Sequence, residues 1–184
     1  MTPWQVRLAT KIIRRGGIIA YPTEAVFGLG CDPLNYTAVE NLCLLKHRSL
    51  SKGLILIASQ LEQVRAYVSA TPAQLKKLSS ISTYPVTWLM PAHPDCPAWL
   101  TGKHESIAIR LTRHPLAREL CQQLGHALVS TSANISRRPA ARTALDVQRL
   151  FGDDIDKIIH ADTGGAMRPS EIRDVISGKV IRPA

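Results

Sequence analysis

The sequence predicts an α/β layer fold in a single domain that spans residues 1–184. Short apolar runs of strand length alternate with amphipathic segments of helix length along the whole chain. The 184 residues suit one domain of ordinary size, and neither an internal repeat nor a long linker divides them. The composition, 45% hydrophobic and 20% charged, is typical of a soluble globular protein.

The first half of the chain is predicted to alternate helices and strands. A helix begins at Thr2-Pro3, where an N-cap residue precedes a first-turn proline, and it ends at Gly16-Gly17. The apolar run LILIA at 54–58 is typical of a strand buried on both faces. Residues 59–62, SQLE, have the pattern of a capping box that starts a helix. Further elements are expected as a strand at 18–22, a helix at 36–46 and a helix from Thr71-Pro72.

The second half is predicted to supply most of the strands. They are expected at 86–90, 106–111, 127–131, 155–161 and 179–183, with a short helix over 146–150. A further helix begins at His114-Pro115 and ends at Gly125, because its apolar residues recur with helical spacing. Those residues are Leu116, Leu120, Cys121 and Leu124. Open α/β sheets bind ligands in the loops after their strands, so polar residues at strand ends are the candidates for a site.

The charge balance favours an anionic partner. Lys and Arg together number 23 against 14 Asp and Glu, which gives a net charge of +9. Nucleotides, nucleic acids and acidic membranes all suit such a surface, and charge alone does not choose among them. No apolar stretch is long enough to cross a membrane, and charges interrupt the apolar runs of the N-terminus. We therefore expect neither a signal peptide nor a membrane partner.

Several function classes lack their sequence motifs here. There is no GxxxxGK[ST] phosphate loop, no GxSxG nucleophile and no HExxH or paired-histidine metal motif. The four cysteines are scattered without a CxxC spacing: Cys31, Cys43, Cys96 and Cys121. This pattern indicates reduced thiols in a cytoplasmic protein and no metal site on the chain.

A first candidate stretch is YPTEAVFGLG at 21–30. The strand ends at Pro22, and Thr23 follows it into a turn. Thr23 either contacts a polar substrate or caps that turn. Gly28 and Gly30 allow close backbone approach, although GxG without a third glycine before a helix is a weak dinucleotide signal.

A second candidate stretch is KHRSLSKG at 46–53. Lys46, Arg48 and Lys52 lie at and beyond a helix C-terminus. Cations at this place either complement the helix dipole or grip a triphosphate, for which arginine supplies a planar fork and lysine a mobile charge.

Three further stretches place polar residues near strand ends. Arg110 lies inside an apolar strand and needs an anion, which is either an acidic residue of the fold or a substrate carboxylate. In STSAN at 130–134, Ser130, Ser132 and Asn134 share one face if the chain stays extended. They either bind a phosphate, a ribose or an amino acid, or cap the following turn. The cluster at 168–174 is either part of the site or a solvated helix start.

Six blocks occur in the order and spacing of one known family. They are YPTEAVFGLGCDP, KHRSLSKGLILIA, STYPVTWL, SIAIRLTRHP, LVSTSANIS and TGGAMRPSEIRD. On these blocks, the chain resembles the short, single-domain bacterial members of the YrdC/TsaC family. The K-x-R block with the downstream STSAN block is the most specific part. The resemblance implies a twisted, open, mixed sheet flanked by helices, with a basic concave face.

The resemblance also implies an activity. Such enzymes convert L-threonine, bicarbonate or CO2 and ATP into L-threonylcarbamoyladenylate and pyrophosphate, with Mg2+ expected to accompany ATP as substrate. A partner protein complex then transfers the threonylcarbamoyl group to ANN-decoding tRNAs. Double-stranded RNA binding is attributed to the family as well, and we expect a monomer.

The resemblance carries over two sets of residues by motif. The ATP set, in which Lys46 and Arg48 are also the catalytic cations, comprises Lys46, Arg48, Thr87, Ser132 and Asn134. The threonine set comprises Thr23, Arg110, Ser130 and Ser170. Two positions depart from the family pattern, since Tyr84 and Arg137 stand where the family usually has glycine.

The net positive charge is also consistent with a different class of function, that of an RNA-binding protein without catalytic activity. A non-catalytic RNA-binding or ribosome-assembly module also needs a basic face. It does not need serines and an asparagine that converge with Lys46 and Arg48. The aromatic content of 5% also disfavours base stacking.

Overall fold

The structure, a computed structural model, describes residues 3–80, 82 and 84–183. The helices are α1 (Pro3–Arg14), α2 (Tyr36–Leu45), α3 (Pro72–Ser79), α4 (Ala98–Thr101), α5 (Pro115–Leu124) and α6 (Ala144–Phe151). The strands are β1 (Ile19–Pro22), β2 (Phe27–Gly30), β3 (Ile55–Ala58), β4 (Val86–Pro91), β5 (Ser106–Leu111), β6 (Leu128–Val129), β7 (Thr131–Ser132), β8 (Lys157–Ile158), β9 (Glu171–Asp174) and β10 (Val180–Arg182). Thr2, the predicted N-cap of the first helix, lies outside the described residues.

The predicted α/β class with mixed strands and flanking helices is confirmed, and the strands form two sheets. One sheet has the order β7-β2-β1-β8, and the other has the order β10-β9-β4-β5-β3-β6. Each contains parallel and antiparallel pairs: β3 runs parallel to β5 but antiparallel to β6. In the smaller sheet, β1 runs antiparallel to β2 and parallel to β8.

The chain passes from one sheet to the other at Ser130. The backbone N–H of Ser130 donates to the carbonyl of Ile55, whereas Thr131 and Ser132 already pair with β2. The predicted single strand at 127–131 is therefore wrong, because it divides into β6 and β7. Ser130 is buried and Ser132 is exposed, although both line the cavity described below.

Strand β3 separates the two apolar clusters of the core. Leu56 packs with Val129 in one cluster, and Ile57 packs with Leu128 in the other, beneath α1 and α5. Successive side chains of a strand point to opposite faces, so a continuous apolar run is the pattern that this position requires. The prediction that 54–58 is buried on both faces is thus confirmed.

Helix α5 agrees with its prediction at both ends. It begins at Pro115 after His114 and ends at Gly125, whose φ of +81° is the left-handed conformation that favours glycine at a helix end. All four residues predicted to face inward are buried: Leu116, Leu120, Cys121 and Leu124.

One local prediction was wrong. The SQLE segment starts a 3-10 helix (Leu61–Tyr67) without a side-chain cap, because Ser59 donates instead to Gln63, which in turn donates to the Cys121 carbonyl. Two elements were not predicted from the sequence. Residues 27–30 form β2, which pairs with β1. Residues 171–174, for which a helix start was one of two alternatives, form β9, which pairs in parallel with β4.

Arg137 occupies a conformation that suits the glycine it replaces. Its φ is +69°, in the left-handed region that side chains other than glycine and asparagine rarely adopt. The backbone of this turn therefore retains the shape that a glycine would favour.

Candidate active site

A cavity of about 350 Å3 is lined by residues from both sheets. Six of the nine sequence-predicted site residues line it: Thr23, Arg48, Arg110, Ser130, Ser132 and Ser170. The other three, Lys46, Thr87 and Asn134, do not line it. Each of them instead forms a hydrogen bond with one of the six or with a neighbour of one. The predicted set is thus brought together, but in two layers.

Lys46 lies behind the STSAN segment and holds it in place. Its ammonium group donates to the carbonyl of Ser132, to the carbonyl of Asn134 at 2.7 Å and to Asn134 Oδ1 at 3.2 Å. Asn134 Oδ1 also accepts from the Ser132 hydroxyl at 2.6 Å. Burial, reinforced by the charge of Arg48, lowers the pKa of Lys46 to about 8. These three oxygens carry no formal charge, so the ammonium remains available as a buried positive charge next to the cavity.

Arg48 lines the cavity directly. One guanidinium nitrogen donates to the carbonyl of Gly53 at 2.8 Å. Its Nε is buried and has no hydrogen-bond partner among the described residues. Burial lowers the pKa of Arg48, which indicates a cation that is incompletely solvated and suited to an anionic ligand.

Arg110 has an acidic partner within the fold. Its Nη2 lies 3.4 Å from Glu24 Oε2, and both side chains are largely buried. Glu24 Oε1 accepts from the Thr112 hydroxyl and from the backbone N–H of Arg113. Arg110 Nε has no hydrogen-bond partner among the described residues, so Arg110 retains a donor although Glu24 offsets its charge. Of the two partners expected from the sequence, the acidic residue of the fold is therefore present.

The charge state of Glu24 depends on this pairing. Burial by itself raises the pKa of Glu24, but Arg110 and the hydrogen bonds at its carboxylate outweigh it and hold the pKa below its usual value. The carboxylate therefore stays ionised in the folded chain.

The Glu24→Gln variant is expected to be less stable than the wild type at neutral pH but only slightly so in acid. The ionised carboxylate stabilises the folded state above the usual glutamate pKa of 4.5, and this contribution is lost as the pH falls through the lower folded-state pKa. Urea unfolding of the wild type and the variant, at pH 7 and at a series of pH values below 4.5, measures the difference in their free energies of unfolding. A gap that stays constant with pH would contradict the contribution of the ion pair.

Thr87 contacts the site through Ser170. Thr87 is fully buried, and its hydroxyl lies 2.8 Å from the hydroxyl of Ser170, which lines the cavity. Thr23 combines both of its expected roles: its hydroxyl donates to the Val26 carbonyl within the turn, and the residue also lines the cavity.

Sequence reasoning missed Arg182 as a site residue. It lines the cavity and donates to the carbonyl of Ser170 at 2.9 Å. The residue is exposed, but partial burial of its guanidinium group, together with the positive charges of Arg110 and Arg48, lowers its pKa. The signal was an arginine inside an apolar strand, which is the same pattern that identified Arg110.

The described residues contain no group of three His, Cys, Asp or Glu side chains placed to hold a metal ion. All four cysteines are free. Within the described part of the chain, no helix has both the length and the apolar character needed to span a membrane.

Comparison with known sequences matches nearly the whole chain. The Sua5/YciO/YrdC family model, which bears the description "Telomere recombination", matches residues 11–184. A threonylcarbamoyl-AMP synthase of Nitrosococcus oceani is 52% identical over 180 residues, which cover 97% of each chain. A threonylcarbamoyl-AMP synthase of Pseudomonas aeruginosa is 46% identical over 185 residues, which cover all of both chains.

Comparison with solved structures agrees in fold. A Sua5 protein of P. abyssi complexed with L-threonine is 28% identical, with a TM-score of 0.88 over 95% of this chain. The match spans 52% of that longer Sua5 chain. E. coli YciO superimposes with a TM-score of 0.84 at 21% identity, over 98% of this chain and 89% of that one, which shows a shared fold.

Proposed function

This chain belongs to the Sua5/YciO/YrdC family, and on that premise we propose that it is an L-threonylcarbamoyladenylate synthase. It converts L-threonine, bicarbonate or CO2 and ATP into threonylcarbamoyl-AMP and pyrophosphate. The product serves the N6-threonylcarbamoyladenosine modification of ANN-decoding tRNAs. The observation that carries the proposal is one cavity lined by Arg48, Arg110 and Arg182 and by the buried Ser130 and Ser170. The chain that forms this cavity is 52% identical in sequence to a named synthase.

We assign the triphosphate of ATP to Arg48 and Arg182, which supply guanidinium donors to the cavity. Lys46 adds a buried charge behind Ser132. Ser132 and Asn134 complete the nucleotide site, and Thr87 supports it through Ser170. Arginine suits this task because its planar fork matches two phosphate oxygens at once.

We assign the threonine pocket to Thr23, Arg110, Ser130 and Ser170, which line the same cavity. Arg110 is expected to bind the substrate carboxylate with the guanidinium nitrogen that Glu24 leaves free. The L-threonine in the related Sua5 complex supports an amino-acid site in this fold.

The chemistry needs charge stabilisation and positioning more than a reactive side chain. The threonine amine attacks CO2 with loss of a proton, or bicarbonate with loss of water, to give an N-carboxylate. A carboxylate oxygen then attacks the α-phosphate of ATP, and the bond between the α- and β-phosphates breaks as pyrophosphate leaves. Both the attacking and the leaving groups are anionic, so cations fixed beside the triphosphate lower the barrier. Holding the N-carboxylate close to the α-phosphate supplies the rest.

We propose that Mg2+ enters with ATP. Glu24 is the acidic side chain that lines the cavity among the described residues, and Arg110 already pairs with it. The chain thus presents cations to the phosphates, and a magnesium ion held by the phosphates themselves would neutralise further charge.

The remaining expectations concern setting and partners. We propose that residues 1–184 form one domain that acts as a cytoplasmic monomer and delivers its product to a separate threonylcarbamoyl-transfer complex. Binding of tRNA or double-stranded RNA is a secondary property in this proposal. Arg137, Arg138 and Arg142, which are exposed on the loop after Asn134, are suited to it.

The test is pyrophosphate release from ATP with and without L-threonine and bicarbonate. Release that requires both co-substrates is the expected result. A folded chain that releases none, yet binds RNA with a steep salt dependence, would instead favour the non-catalytic RNA-binding module.

A further inference from the structure

Tyr21 lies beneath the cavity and contacts one of its serines. The side chain is fully buried in β1, and its hydroxyl donates to Ser130 Oγ at 2.8 Å. Ser130 lines the cavity, whereas Tyr21 does not. The Tyr21 hydroxyl therefore reaches the cavity lining through Ser130.

Gly30 of β2 makes room for the Tyr21 ring. A Cβ on Gly30 would lie 2.9 Å from that ring and 2.7 Å from the Val129 carbonyl, both too close. A Cβ on Gly28 would meet Thr23 Cγ2 at 3.2 Å first, while Ser130 Oγ and the Tyr21 ring would lie at ordinary contact distances of 3.4 Å. The second glycine of the GxG pattern is thus explained by the space that the Tyr21 ring and the Val129 carbonyl occupy.

The direction of the hydrogen bond follows from burial. A buried phenol must donate its proton, and among the described residues the oxygen that accepts it is Ser130 Oγ. Burial also raises the pKa of Tyr21 far above its usual value, although Ser130 and the charge of Arg110 act in the opposite direction. The phenol therefore keeps its proton, and the Ser130 proton is left for another acceptor.

We propose that Tyr21 is a positioning residue that fixes Ser130 as a hydrogen-bond donor toward the carboxylate of the amino-acid substrate. The inference rests on the proposed function, because it takes threonine as the ligand that contacts Ser130 and Arg110. Ser130 and Arg110 line the same cavity, so the serine proton and the arginine donors are placed to share one carboxylate. Without Tyr21, the Ser130 hydroxyl rotates freely and no longer presents its proton to the ligand.

The Tyr21→Phe variant tests this, because it keeps the ring and removes only the donor. We expect the KM for threonine to rise about tenfold, while the KM for ATP changes less than about twofold. Tyr67→Phe is the matched control, since Tyr67 is also a buried tyrosine but does not line or support the cavity. It is expected to leave both KM values unchanged.

A double-mutant cycle separates positioning from a general structural effect. Ser130→Ala should raise the KM for threonine. The Tyr21→Phe/Ser130→Ala double variant should have the same threonine KM as Ser130→Ala. An unchanged threonine KM in Tyr21→Phe, or the full tenfold effect in the absence of the Ser130 hydroxyl, would overturn the inference alone. A wild-type chain without threonine-dependent pyrophosphate release would overturn the proposed function and this inference together.

Discussion

The Lys46→Met variant is expected to lose threonine-dependent pyrophosphate release by a factor on the order of 100, and to unfold more readily than the wild type. Methionine fills similar space but provides no donor. Three oxygens of Ser132 and Asn134 then lose the ammonium donor, and the cavity loses a buried positive charge. The Ser132 carbonyl still accepts from the Asn134 N–H, and Asn134 Oδ1 still accepts from the Ser132 hydroxyl. The Asn134 carbonyl keeps no other donor among the described residues, and an unsatisfied acceptor costs about 1–3 kcal/mol of unfolding free energy. Steady-state pyrophosphate release and urea unfolding measure the two effects.

Lys103→Met is the control for charge alone, because Lys103 is exposed and does not line the cavity. It should leave both quantities close to the wild-type values. If Lys46→Met retained normal turnover, Lys46 would be a structural residue of the STSAN segment, and its assignment to ATP would be wrong.

The Arg110→Gln variant is expected to lose stability and threonine binding together. It leaves the Glu24 carboxylate buried without its cation, which costs roughly 3 kcal/mol of unfolding free energy. It also removes the donors that we assign to the substrate carboxylate, so the KM for threonine should rise by a factor on the order of 100. Urea unfolding and steady-state kinetics with varied threonine check the two outcomes.

The Glu24→Gln/Arg110→Gln double variant separates these effects. Two neutral amides remove the uncompensated charge, so most of the lost stability should return while the threonine KM stays high. Arg113→Gln is the control, since Arg113 is exposed beside the pair. A double variant that recovered a normal threonine KM would show that Arg110 serves the fold and not the substrate.

Local patterns predicted the elements whose formation depends on local physics. Helix α5 has a proline at its start, an apolar stripe and a C-terminal glycine, so both of its ends could be placed. Strand β2 could not, because two glycines in four residues give little strand propensity and its pairing with β1 decides its structure. The charged β9 was missed for the same reason, since its pairing with β4 lies far away in sequence.

The structure brings the nine predicted site residues close together, but the sequence did not indicate which of them line the cavity. Residue types and the family resemblance indicated Lys46, Asn134 and Thr87 together with the residues that line the cavity. The position at which the chain passes from one sheet to the other decides which of these residues face a ligand. Hydrophobic periodicity in the sequence does not reveal that position. Glu24 became the partner of Arg110 only through the packing of the turn after β1 against the end of β5.

The division of the strands at Ser130 has a mechanical consequence. The cavity is lined by β2 and β7 of one sheet and by β3, β4, β5, β9 and β10 of the other, so a ligand that fills it would touch both. A ligand in that position would contact both sheets and hold them together at the boundary between them. Its binding free energy then opposes any motion that separates them, and the empty chain has more freedom to flex along this boundary than the loaded one.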